Sequence, residues 1–256
     1  MIEDPLFYAL AIPAVIMLGL AKGGFAGAGA MGLPLMALAI SPVQAAAILL
    51  PILIAQDVVG VWAFRKNWDK RVLTIMLPGA FIGIFLGYLF AAKVQPLVIL
   101  GALGVITIVF ALYRLWLEHG GGEKLAKAQS HSPQVDAGLG FLTGIASGFT
   151  SQVAHAGQPP FQIWVLPKKL ARDTLIGTTA IFFAIVNLVK VPAYFALHQF
   201  TRANLLTSAA LLPLAIASTF AGVWLVRRIE PQRFYTLIYI LMVIVGAGLL
   251  WEAFGR

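Results

Sequence analysis

Residues 43–64 read VQAAAILLPILIAQDVVGVWAF, and residues 174–197 read TLIGTTAIFFAIVNLVKVPAYFAL. Each exceeds the roughly 20 apolar residues a helix needs to cross a bilayer. Each is broken by a single charge, Asp57 in the first and Lys190 in the second. A charge in the middle of a spanning helix costs about 2.5–3.5 kcal/mol on insertion scales, so its presence needs a reason. Placing Ala47-Ile48 on Ala180-Ile181 superposes Asp57 on Lys190, at an offset of 133 residues. The two stretches therefore read as copies of one segment carrying opposite charges.

Extending outward from this pair gives ten apolar segments. They cover about 6–22, 28–40, 43–64, 72–92 and 95–116, then 137–152, 157–167, 174–197, 204–226 and 231–253. The first two of each five are short and rich in Gly, Pro or polar residues. Leu77-Pro78 aligns with Leu212-Pro213, and Gly87 with Gly222. The expected organisation is a first transmembrane repeat over 1–116, a cytoplasmic linker over 117–136 with Gly120-Gly121-Gly122, and a second repeat over 137–256. The composition agrees: 60% of residues are hydrophobic and 11% charged, against roughly 25% charged in soluble domains. Mean hydropathy is +0.90. The chain has no cysteine, which excludes disulfides and thiolate chemistry. The opening Met1-Ile2-Glu3-Asp4 is acidic and runs straight into apolar sequence, so no cleaved leader is expected.

The basic residues set an orientation. With the N-terminus outside and an odd number of crossings per half, inner loops hold Arg65, Lys66, Lys70, Arg71, Arg114, Lys124, Lys127, Lys168, Lys169, Arg172, Arg227, Arg228 and Arg233. The outside holds Lys93, Arg202 and Arg256, and Lys22 and Lys190 lie in or beside apolar segments. This asymmetry follows the positive-inside rule and accounts for the net charge of +8 without nucleic acid. Odd crossings make the repeats inverted, a recurrent plan of secondary transporters. The fold class expected is an all-α integral membrane protein of two inverted repeats. Each has two short Gly/Pro-rich segments, either separate spans or a re-entrant hairpin, and three long transmembrane helices. Both termini are expected outside a bacterial inner membrane.

Two motifs add a resemblance. The run Ala21-Lys22-Gly23-Gly24-Phe25-Ala26-Gly27-Ala28-Gly29-Ala30-Met31-Gly32-Leu33-Pro34 resembles the glycine-rich opening of the TauE/SafE sulfite exporter family. The run Ala154-His155-Ala156-Gly157-Gln158-Pro159-Pro160 is similar to that family's second-repeat signature. Ala30 and Gln158 depart from it where members often carry a further glycine. The resemblance implies transport of sulfite, organosulfonates or related small anions. For inverted repeats the expected mechanism is alternating access, and an inside-negative potential favours export. An anion channel, or an importer of a sulfur-containing or carboxylate anion, is the alternative.

The residues offer their own candidates. Lys190 is read as a fixed cation on an anion path, with Asn187 on the same helix face. Asp57 is read as its counter-charge or as a carrier of a coupling proton. His155 can handle protons near neutrality or donate to an oxyanion. Pro159 and Pro160 suit a first helical turn, and helix N-termini attract anions. Gly27, Gly29 and Gly157 would then let backbone approach the ligand, though small residues also serve helix packing. Lys22, Gln152, Gln158 and Gln162 add a charge and donors. Two such N-termini with Lys190 would supply roughly two positive charges, matching a dianion.

Other classes find less support. Gly144-Ile145-Ala146-Ser147-Gly148 fits neither serine-hydrolase turn, and no P-loop, dinucleotide fingerprint or acidic metal cluster is present in the sequence. The expectation is a transporter that is not an enzyme and uses no cofactor or metal. Its expected partners are the anion and the bilayer, with a homodimer left open.

Overall fold

The computed structural model describes residues 2–25, 28–117, 121, 132–226, 228 and 232–255, without the side chains of 232–238. Gly27 and residues 118–120 and 122–131 of the 117–136 linker lie outside the described residues. All described regular structure is helical. The first half holds α1 (Pro5–Gly23), a 3₁₀ turn (Ala28–Met31), α2 (Gly32–Ala37), α3 (Pro42–Phe64), α4 (Lys70–Ala91) and α5 (Pro96–Trp116). The second holds α6 (Pro133–Ala154), α7 (Gln158–Val165), a 3₁₀ turn (Leu166–Lys168), α8 (Arg172–Ala196), α9 (Arg202–Val226) and α10 (Gln232–Phe254). Six of these, α1, α3, α4, α5, α8 and α9, are long and apolar enough to cross a membrane.

Lipid offers no partner to a loose backbone group, so helix ends must be satisfied locally. Asp4 accepts from the Leu6 amide, Ser41 from Gln44, Asp69 from Val72 and Ser132 from Val135. Pro5, Pro42, Pro96 and Pro133 occupy first turns, where no intrahelical donor is lost.

The halves interlock by exchanging helices. α1 packs along α9, and α6 along α4, so the first helix of each half lies on the fourth of the other. Both pairs are parallel: Ile2 bonds Thr207 while Gly23 meets Gly222, and Gly79 meets Phe141 while Gly87 meets Gln152. The third helices, α3 and α8, and the fifth, α5 and α10, pair antiparallel. Asp57 touches Asn187 and Gly60 faces Ala180; Gly101 meets Phe254 and Gly104 meets Gly246.

Backbone proximity holds the α4–α6 seam. A Cβ on Gly83 would fall 2.0 Å from the Ile145 carbonyl oxygen, and one on Gly148 would fall 2.0 Å from that of Ala80. Without a hydrophobic drive in lipid, association depends on such close van der Waals contact.

In the first half the two short segments run the length of the bundle in opposite directions. Through α1 the chain runs from Ile2, beside Thr207, to Gly24, beside Val226 and Ile176. α3 begins at the opposite end, where Gln44 bonds Asn204. The broken stretch between them therefore joins opposite ends of the bundle. α6 is a full helix of 22 residues, longer than the apolar stretch 137–152 suggests. Its Thr143 and Thr150 hydroxyls are absorbed by the Leu139 and Ala146 carbonyls one turn back, so polar residues there do not end the helix.

Candidate anion-binding site

The third-helix pair crosses at a buried polar cluster. The Lys22 ammonium, from α1, is ion-paired with Asp57. The other Asp57 oxygen accepts from Asn187 Nδ2 at 2.6 Å. Asp57 is thus neutralised by Lys22, not by Lys190 as the alignment suggests. At that level α1 carries the lysine against Asp57, whereas α6 carries Ser151 against Lys190.

Lys190 is fully buried. Its three ammonium hydrogens face the Ser151 carbonyl and hydroxyl, each at 3.1 Å, and His155 Nδ1 at 2.7 Å. His155 Nε2 lies 2.9 Å from the Ala46 carbonyl, which only accepts, so that nitrogen carries the hydrogen and Nδ1 accepts from Lys190. His155 ends α6 in the left-handed region at φ 49°, where non-glycine residues are uncommon. Tyr194 stacks on it at 6.0 Å, and its hydroxyl donates to the Gln152 carbonyl at 3.3 Å. Phe200 lies 5.9 Å beyond Tyr194. These groups form a packed layer on one side of the cluster.

Two adjoining cavities lie on the other side. The inner one, of about 40 Å³, is lined by Lys22, Gly29, Ala30, His155, Gln158 and Asn187 among others. The outer one, of about 200 Å³, includes Lys22, Arg114, Gln158, Arg172, Thr179 and Phe183. They share Ala21, Lys22, Gln158 and Phe183. The Lys22 ammonium sits 5.4 Å from the centre of the Phe183 ring, a cation–π distance.

Of the residues singled out in the sequence, Lys22, Gly29, His155, Gln158 and Asn187 meet at the inner cavity, although they come from both halves. Lys190, Gln152 and Gly157 do not line it. Gln152 packs its Cβ and Cγ on Gly87, and Gly157 gives its carbonyl to Ser147 Oγ at 2.7 Å. Gln162 accepts from Arg114. The helix N-termini contribute less than expected. The first glycine motif reaches the cavity through its 3₁₀ turn rather than through α2. In α7, Pro159 and Pro160 have no amide hydrogen, and the Phe161 amide is given to the Gly157 carbonyl. Lys22 is therefore the principal cation facing the cavity. Arg114 and Arg172 were read only as loop charges, because cavity lining leaves no mark in a single sequence.

A partly buried, ion-paired cation thus faces a small cavity between two interlocked helical halves of a polytopic, membrane-type fold. The family model "Sulfite exporter TauE/SafE" matches residues 11–249. The chain belongs to the TauE/SafE sulfite exporter family, a family of multi-pass membrane transporters. No curated protein and no solved structure gives a significant match.

Proposed function

We propose that this protein exports sulfite or a comparably small sulfur oxyanion across the bacterial inner membrane by alternating access. The observation that carries the reading is the Lys22 ammonium in a cavity walled by Gly29 from the first motif and by His155 and Gln158 from the second. A water-sized body needs roughly 10–15 Å³ of such volume, so the inner cavity of about 40 Å³ suits an ion of three or four heavy atoms better than an aromatic sulfonate. A single cavity-facing ammonium suits a monoanion such as hydrogensulfite better than the dianion that the helix-terminus argument favours.

The reciprocal α1–α9 and α6–α4 pairings, with antiparallel third and fifth helices, support inverted repeats. The end bearing Arg71, Lys168 and Arg172 is assigned to the cytoplasm by its positive charge, which puts both termini outside. In this frame the outer cavity opens inward, and the layer of Lys190, His155, Tyr194 and Phe200 closes the path outward. Transport exchanges the two barriers. An inside-negative potential drives each exported charge by about 2.3 kcal/mol per 100 mV, so export needs no coupled ion.

The test is efflux from proteoliposomes under a valinomycin-set potential. Sulfite should leave saturably and faster when the interior is negative, ahead of aromatic sulfonates and acetate. Sulfite flux equal to that of protein-free liposomes would reject the reading.

A further inference from the structure

The outer cavity holds two cations that this export site leaves unused. Arg114, near the end of α5, donates from Nε to the Tyr239 hydroxyl at 2.9 Å and from Nη1 to Gln162 Oε1 at 3.1 Å. Its guanidinium lies 5.3 Å from the centre of the Tyr239 ring. Of five guanidinium hydrogens, these bonds use two and hold the plane in place. Arg172 begins α8, where a cation opposes the positive end of the helix dipole. Among the described residues the ion pairs are Lys22–Asp57, Arg71–Asp136 and Lys168–Asp136. Neither cavity arginine has a carboxylate partner among those residues.

We propose that the outer cavity is a second anion-binding station, in which Arg114 and Arg172 receive a small oxyanion and pass it to Lys22. The inference rests on the export reading and extends it to residues outside that site. Volume separates the roles of the two stations. The outer cavity, about 200 Å³ against about 40 Å³, has room for more than ten water-sized bodies at roughly 10–15 Å³ each. An anion there keeps part of its hydration shell while the arginines draw it in; at Lys22 it is nearly bare. Charge exposure follows the same gradient. Arg172 is exposed at the mouth, Arg114 is half-buried, and the Lys22 side chain is 13% exposed. Because both cavities include the Lys22 wall, hand-over needs a side-chain movement, not a rearrangement of helices.

The experiment measures equilibrium binding of radiolabelled sulfite to the purified full chain in nanodiscs, with sulfite transport assayed from the basic face. The wild type should bind two sulfite ions per chain. Arg172→Gln and Arg114→Gln should each raise the KM from that face roughly tenfold, the usual cost of losing one charge-assisted hydrogen bond. Their kcat should stay within about twofold, because the arginines act before the translocating step. The double variant should bind one. Arg172 is exposed and makes no side-chain hydrogen bond or ion pair among the described residues, so Arg172→Gln remains informative if Arg114→Gln unfolds. A wild type that binds one sulfite, with an unchanged KM in Arg172→Gln, would overturn the second station and leave the export site standing. A wild type that binds none would reject both.

Discussion

The Lys22–Asp57 pair allows stability and binding to be separated. Removing one partner of a buried ion pair typically costs about 3–5 kcal/mol, because the other charge is stranded. The two partners are not equivalent here: side-chain exposure is 13% for Lys22 and 3% for Asp57. Lys22→Gln leaves a sealed carboxylate with Asn187 as its remaining donor, so a loss of about 3 kcal/mol is expected, limited by protonation of Asp57. Asp57→Asn leaves an ammonium that cavity water reaches, and should cost about half as much. The double variant Lys22→Gln/Asp57→Asn has no stranded charge and should recover most of the loss. Binding should divide differently. Both variants lacking Lys22 should lose sulfite affinity by tenfold or more, roughly the worth of one charge-assisted bond. Asp57→Asn should bind at least as tightly as the wild type, yet release slowly. Unfolding titrations in mixed micelles and sulfite dialysis on the same samples measure both quantities. Equal stability of all four proteins, or wild-type sulfite affinity in the double variant, would refute the reasoning.

Further outcomes follow from the same contacts. Gln158→Gly should join the two cavities and raise the relative rate for larger sulfonates over sulfite in a competition assay. Lys190→Met should strand His155 Nδ1 and the Ser151 hydroxyl and lower stability by about 1–3 kcal/mol, with a smaller loss of sulfite affinity than in Lys22→Gln. Gly83→Val should drive its side chain into the Ile145 carbonyl and abolish the α4–α6 seam, seen as loss of a monodisperse purified peak. Single cysteines at Asp4, Lys93 and Phe254 should react with an impermeant maleimide from outside, and one at Ala128 should not; the reverse pattern would invert the orientation.

The spans were legible because hydropathy and length are constraints imposed by lipid, and the chain meets them openly in α3, α4, α5, α8 and α9. α6 was harder to read, since hydroxyls that bond the carbonyls one turn back look like breaks in an apolar run. The sequence alignment set Asp57 on Lys190, but their relation in space was not visible in it. Alignment places equivalent residues at equivalent depth; it does not say which neighbouring helix supplies the counter-ion. Lys22 reaches Asp57 because the α1 and α3 faces meet there, and Lys190 turns instead into the end of α6. The proline pair misled in a similar way. It marks a helix start correctly while removing the amides that would make that start an anion site. Arg114 and Arg172 are legible as charges, but their convergence depends on three helix ends meeting.

The claim most open to a direct test is that the anion rests on Lys22 between the two motifs. Selenite is a heavier relative of sulfite with a strong anomalous signal, and a structure solved with it would place the ion. Selenium should lie within contact of the Lys22 ammonium, beside Gly29 and Gln158. Selenium bound to Lys190 behind His155, with Lys22 still facing Asp57 and no ion in the inner cavity, would contradict it.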